Sequence, residues 1–362
     1  MILIGTNEGI YRWSEGAGWP VFHGLQDREV VGLVSPGRGM LTALSASGEV
    51  LESENNGMDW RVLPLPEGVE RPTTIAADLK TAGVVVASRP MGLYGRRVGA
   101  ATPRAKPAPV GMGSTMVHRA RGLADGATAL IAPGRKRVAP TLDAIRLAGW
   151  SALPSPPVPK TGVAPEVRAL AEVGGSWFAA VGGAGLWRTT DLGKAWVQCE
   201  GLPAEVYGVR GVPGRAGQVW SATHEGCRLS VDGGITWEDR SAGLEGARHV
   251  RAIEVKPGAP DVLLAGAAPQ APFEIKAASR QGLNFGLYES VNGGKSWTQV
   301  LRSFPDVLEY DTITDIRFDP ADAENALVAL GSGELWVTRN GGFYWGPLAR
   351  QIRAARVLCA VG

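Results

Sequence analysis

The groups best suited to chemistry gather in the second half of the chain. The run Ser303-Phe-Pro-Asp-Val-Leu-Glu-Tyr-Asp311 sets a phenol, Tyr310, between two carboxylates, Glu309 and Asp311. Such groups serve as nucleophiles or as general acids and bases. Glu309 adjoins Tyr310 in the chain, so the two do not make an obvious pair in space. A long irregular stretch, Ala267 to Phe285, holds Glu274, Lys276 and Arg280, and His224-Glu225 falls in another connection. Arg168, Arg251 and Arg353, with Asp315, lie in strand-like segments where they would point into a common channel; guanidiniums grip carboxylates in a bidentate fork. His23, His118, His224 and His249 show no ligand spacing, so no metal is expected. No phosphate loop, dinucleotide fingerprint or nucleophile elbow is present, so no cofactor is expected either.

What must position these groups is a repeat. Five octets share one pattern: a small hydroxyl residue, any residue, Asp or Asn, any residue, Gly, two further residues, then Trp. They are Ser53–Trp60, Thr189–Trp196, Ser230–Trp237, Ser290–Trp297 and Thr338–Trp345. In each, Asn55, Asp191, Asp232, Asn292 or Asn340 can accept hydrogen bonds from turn amides. The glycine supplies a positive φ, and the Trp packs on a neighbouring sheet. Around each octet the same order recurs: an alternating strand such as His249–Pro257, a second strand such as Val262–Gly266, a third running into the octet, and a short fourth from the Trp. That is a four-stranded antiparallel meander, one blade of a propeller.

These octets are the Asp-box signature, and the chain resembles the BNR-repeat propellers over nearly its whole length. That group includes sialidases, xyloglucan-cleaving hydrolases, sortilin-type receptors and photosystem II assembly factors. The opening Ile-Gly-Thr-Asn-Glu-Gly-Ile-Tyr is similar to the first strands of bacterial propellers loosely labelled glycosyl hydrolase. The resemblance implies an all-β fold, a single propeller over residues 1–362. A sialidase would bring an arginine triad for a substrate carboxylate, a Tyr–Glu nucleophile pair and an Asp acid/base. The chain departs from that pattern: no Phe/Tyr-Arg-Ile-Pro segment lies near the start. Tyr11, Tyr94 and Tyr288 occupy one repeated strand position and Tyr344 lies inside an octet, leaving Tyr207 and Tyr310. The xyloglucan hydrolases join two such propellers, and this chain has one.

Blades are expected to start near Val30, Pro72, Glu166, Glu205, Arg248 and Thr312. The last strand, Ala354 to Val361, is expected to complete a blade with Ile2–Gly5 and Gly9–Trp13, closing the ring and removing sheet edges. Octet tryptophans lie 41, 60 and 48 residues apart from Trp196 to Trp345, but Trp60 and Trp196 are 136 apart. Read as three blade lengths, that gap favours eight blades, with Trp19 and Trp150 marking decayed octets. Seven follow if residues 98–160 form one irregular blade with a long insertion. In a four-stranded blade the second-to-third and fourth-to-first connections share one rim, here called the upper rim, and the octets lie on the opposite one. The octet carboxylates are therefore read as structural, and the upper rim as the place for a site.

Charge is uneven. Arg96 to Arg146 carries ten Lys or Arg against two Asp, about +8, in a chain whose net charge is +2. This diverged sector, about 96–160, includes Arg135, Lys136 and Arg137 and is read as a surface that can dock an acidic protein face, an anionic membrane or nucleic acid. It has no interleaved aromatics, so specific nucleic-acid binding is not expected. No apolar run is long enough for a transmembrane span, no basic leader precedes the first strand, and Cys199, Cys227 and Cys359 form no disulfide framework. A cytoplasmic location is the expectation. Taken together these readings predict a non-enzymatic interaction propeller that binds a protein or other macromolecule through its upper rim. The competing class is a glycan-acting, sialidase-like hydrolase at the channel mouth.

Overall fold

A computed structural model of the chain describes residues 1–14, 18–65, 69–78, 83–97, 149–158, 164–269, 286–304, 311–348, 352 and 354–362. They form seven four-stranded antiparallel sheets, the blades of a propeller. Blade 1 joins Ala355–Ala360, as its inner strand, to Ile2–Thr6, Ile10–Trp13 and Val21–Gly24. Blades 2 to 7 each run from inner to outer strand in chain order, with inner strands Val30–Gly37, Arg71–Asp78, Val167–Val173, Val206–Gly211, His249–Val255 and Ile313–Phe318. Each inner strand lies against the next, and that of blade 7 lies against that of blade 1. The six expected blade starts and the closure by the terminal strands both hold.

The count is seven, the smaller of the two expected. The long gap between Trp60 and Trp196 contains one blade, not two. Its third strand, Gly92–Arg97, pairs directly with its fourth, Ser151–Leu153, through Gly95 and Ser151. Some fifty residues are thus inserted where blades 2, 4, 5, 6 and 7 carry an octet, and spacing in the chain overstated the number of blades. Trp150 marks the end of that connection. It is buried, and its Nε1–H donates to the Pro64 carbonyl of blade 2 at 3.0 Å.

Second strands such as Ala326–Leu330 are buried at every position because each face meets a neighbouring blade. Between blades 5 and 6 the filler is Trp220, Leu263, Tyr288 and Trp297; between 7 and 1 it is Ile4, Trp13, Leu327 and Leu358. The hydrophobic stabilisation is thereby divided among the blade interfaces, as in other repeat folds.

The five octets form one repeated turn. In the blade 5 copy, Ser230 Oγ accepts the Gly234 N–H at 2.7 Å and donates to Asp232 Oδ1 at 2.8 Å. Asp232 also accepts the Thr236 N–H at 2.9 Å. The same three contacts recur at Ser53/Asn55, Thr189/Asp191, Ser290/Asn292 and Thr338/Asn340. The octet turns bond to the first-to-second-strand turns: Gly233 N–H to Gly217 O, Gly293 N–H to Asp261 O, Gly341 N–H to Glu324 O. They therefore occupy the lower rim. The Thr236 hydroxyl and N–H, then the Ser230 hydroxyl, hold the Asp232 carboxyl well below the usual range; its lone pairs are committed to the turn.

Candidate functional site at the channel mouth

Every inner strand breaks its register near its start, at the same height, and that of blade 2 does so a second time between Val34 and Gly37. The pairing skips Arg356 in blade 1, Val31 in blade 2, Thr73 in blade 3, Arg168 in blade 4, Tyr207 in blade 5, Arg251 in blade 6 and Thr314 in blade 7. Each is a β-bulge, in which the extra residue leaves the ladder and its side chain is re-aimed. All seven skipped residues line one central cavity of about 650 Å³. They lie near the start of the inner strands, the end away from the octets, so they make a collar at the upper mouth.

Four of the collar residues contact the following blade. Arg356 of blade 1 pairs with Glu29 of blade 2 at 3.1 Å, and Arg168 of blade 4 pairs with Glu205 of blade 5. Thr73 Oγ1 of blade 3 donates to the Val167 carbonyl of blade 4 at 2.9 Å. Tyr207 of blade 5 lies 4.9 Å, ring to ring, from His249 of blade 6. Glu29, Glu205 and His249 each stand two residues before their own blade's bulge. In turn, the Arg251 guanidinium sits 5.2 Å from the Tyr207 ring centroid, within cation–π range.

Below the collar the channel wall holds a charge quartet. Arg210 and Arg317 both donate to Glu254 Oε2, at 3.1 and 2.9 Å, and Arg317 also pairs with Asp315 at 2.7 Å. Asp315 Oδ2 accepts the Leu358 N–H at 2.9 Å, tying blade 7 to blade 1. Arg317 pulls the Arg210 pKa down, and burial adds to this. For Arg317 itself burial works the same way, but Asp315 and Glu254 outweigh it. Both guanidiniums stay charged. Two cations and two carboxylates balance, so the quartet braces four blades rather than presenting charge to a ligand.

Of the residues expected at a site, Arg168, Arg251 and Asp315 line the channel. His224-Glu225 lies on the same rim: His224 Nδ1 is 3.3 Å from the Glu205 carbonyl, and its Nε2 is 3.3 Å from Glu225. Asp311 is spent on a turn, with Oδ1 accepting the N–H groups of Thr312 and Ser332 at 2.8 and 3.0 Å. Glu274, Lys276, Arg280, Glu309, Tyr310, Arg353, Arg135, Lys136 and Arg137 lie outside the described residues. Among the described residues no group of three His, Cys, Asp or Glu could hold a metal, and no helix is long and apolar enough to cross a membrane. Sequence reasoning missed Val31, Thr73, Arg210, Thr314, Arg317 and Arg356. A signal for the collar exists in retrospect: each bulge follows a buried apolar residue at the strand start, as in Glu166-Val-Arg168, Glu205-Val-Tyr207 and His249-Val-Arg251.

No protein-family model matches the chain, and no curated protein matches it. Solved structures do. YCF48 bound to D1 peptide is 13% identical, with a TM-score of 0.54, covering 93% of this chain and 87% of that one. YCF48 from Cyanidioschyzon merolae is 14% identical, with a TM-score of 0.54, covering 91% and 88%. The GH74 enzyme of Niastella koreensis is 12% identical, with a TM-score of 0.58; 95% of this chain is covered but only 46% of that one. At such identities the likeness is one of fold, and it places this chain among the β-propellers.

Proposed function

We propose that the chain is a non-enzymatic interaction propeller that grips a protein partner at the upper mouth of its channel. The observation that carries this reading is the collar. Seven blades repeat one backbone device at one height, yet the residues it projects differ: Arg, Val, Thr, Arg, Tyr, Arg, Thr. A regular scaffold with individual side chains at its opening is what recognition requires, whereas a purely structural bulge has no use for such variety. The five octet turns support the Asp-box reading of the repeat, and a propeller of the same fold has been solved with a peptide bound.

The test is capture from a cell extract with the tagged chain, followed by mass spectrometry. The double variant Arg168→Glu/Tyr207→Ala should lose the captured partner, while Met58→Ser on the lower rim, where Met58 is 73% exposed, should keep it. Retention by both variants would remove the mouth from the account. Aryl-sialosides and aryl-glycosides should not turn over; turnover abolished by Tyr310→Phe would replace this reading with the hydrolase one.

A further inference from the structure

The collar obeys a rule, and one blade breaks it. Where blade 1 or blade 4 offers an arginine, the following blade answers with a glutamate two residues before its own bulge. Blade 6 offers Arg251, and the corresponding residue of blade 7 is Thr312, which carries no charge. Among the described residues five arginines line the cavity: Arg168, Arg210, Arg251, Arg317 and Arg356. Four have a carboxylate in ion-pair range. Among the described residues, no carboxylate pairs with Arg251. Its contact is the Tyr207 ring, which also packs against the buried His249. A guanidinium fixed over an aromatic face in a partly enclosed opening is pre-organised for an anion, and its fork suits a carboxylate.

Resting on the reading of the mouth as a protein-binding site, we propose that Arg251 is the anchor of that site and takes one acidic side chain of an extended peptide. The stoichiometry of charge selects this occupant. Among the described residues one unanswered cation matches one carboxylate. A polyphosphate backbone would meet Glu29 and Glu205 at the same rim and be repelled. Across the channel from Arg251 the wall turns neutral, with Val31, Leu33, Thr73 and Ile75, so the residues flanking the acidic one would be small or apolar.

The proposal is tested with an array of acetylated, amidated octapeptides, each carrying one Glu among small and apolar residues and each matched to its Gln counterpart. Binding is read by fluorescence polarisation at low salt. Some Glu peptides should bind at least about tenfold more tightly than their Gln partners, the scale of one charge-assisted contact. Arg251→Gln should erase that preference, and Arg215→Gln, in a lower-rim ion pair with Asp261, should preserve it. Thr312→Glu supplies the missing internal carboxylate; it should also erase the preference while the melting temperature stays level or rises, which separates loss of the site from loss of the fold. No Glu preference anywhere in the array, a preference that survives Arg251→Gln, or equal competition by glucuronate or a short oligonucleotide would overturn the proposal. If the captured partner is retained by Arg251→Gln but lost by the Arg168/Tyr207 variant, the anchor falls and the interaction reading stands.

Discussion

His249 sits 4% exposed at the start of the blade 6 inner strand, with Nε2 unpartnered among the described residues. Burial, then the charges of Arg251 and His224, push its pKa down from 6.5 to about 4. The sign of its linkage follows. Between those two values the unfolded chain binds a proton that the folded chain refuses, so stability is complete above about pH 6.5 and declines as the pH falls toward 4. The decline reaches roughly 3 kcal/mol. Thermal melts of His249→Phe and the parent should diverge from parallel across that window, the variant losing less on acidification; parallel curves would show that His249 does not titrate there. Asp191 and Asp232, whose carboxyls are held low by turn N–H and hydroxyl groups, act at lower pH and leave the comparison clean. At this scale the sequence was partly readable. Arg168, Arg251 and Tyr207 each follow a buried valine at the start of a strand. Arg210 and Arg317 do not separate from ordinary strand charges, because only the fold brings Glu254 and Asp315 to them.

The octet is the element that could be read most fully. Hydroxyl, Asx and Gly at fixed offsets describe a hydrogen-bonded turn before any coordinate is known, and all five make the same contacts. Two substitutions probe what they contribute. Ser230→Ala removes the acceptor of the Gly234 N–H and a donor to Asp232 inside a buried turn, and should cost about 1–2 kcal/mol in denaturant titrations. Gly294→Ala is more severe. Gly294 has φ +72°, and a Cβ there would lie 2.2 Å from the Trp220 ring of blade 5, so roughly 2–4 kcal/mol is expected from strain and displacement of the indole. A cost under about 0.5 kcal/mol would mean the blade interface yields more readily than its packing implies. The bulges were not legible in the same way. A bulge adds one residue to a strand without demanding glycine or proline, so its mark is a slipped alternation such as the buried–buried–partly buried repeat of His249–Val255, visible only once the partner strand is known.

At the scale of the whole ring, spacing gave the fold class and misjudged the count, because a blade and an insertion of similar length look alike in a periodicity. Blade 3 absorbs the basic stretch into the connection between its third and fourth strands, whose ends are held as ladder neighbours at Gly95 and Ser151. Replacing residues 98–148 with a short octet-like turn should therefore leave the strand circular-dichroism signature in place and move the melting temperature by only a few degrees, since closing a long loop or a short one between fixed ends differs little in free energy. Collapse of the fold in that variant would mean the stretch is part of the core.

The closure of blade 1 has a consequence for biogenesis. Strand Ile2–Thr6 is buried at all five positions and bonds on one side to Ala355–Ala360, a partner that emerges from the ribosome some 350 residues later. Throughout synthesis it presents an unpaired apolar edge, open to strand exchange with other nascent chains. Long-separated pairing of this kind also delays folding. A circular permutant opened between blades 4 and 5, with the present ends joined, converts that pairing into a local hairpin. It should refold faster and give a higher soluble yield when chaperones are depleted, and equal yields would place the rate-limiting event elsewhere in the ring.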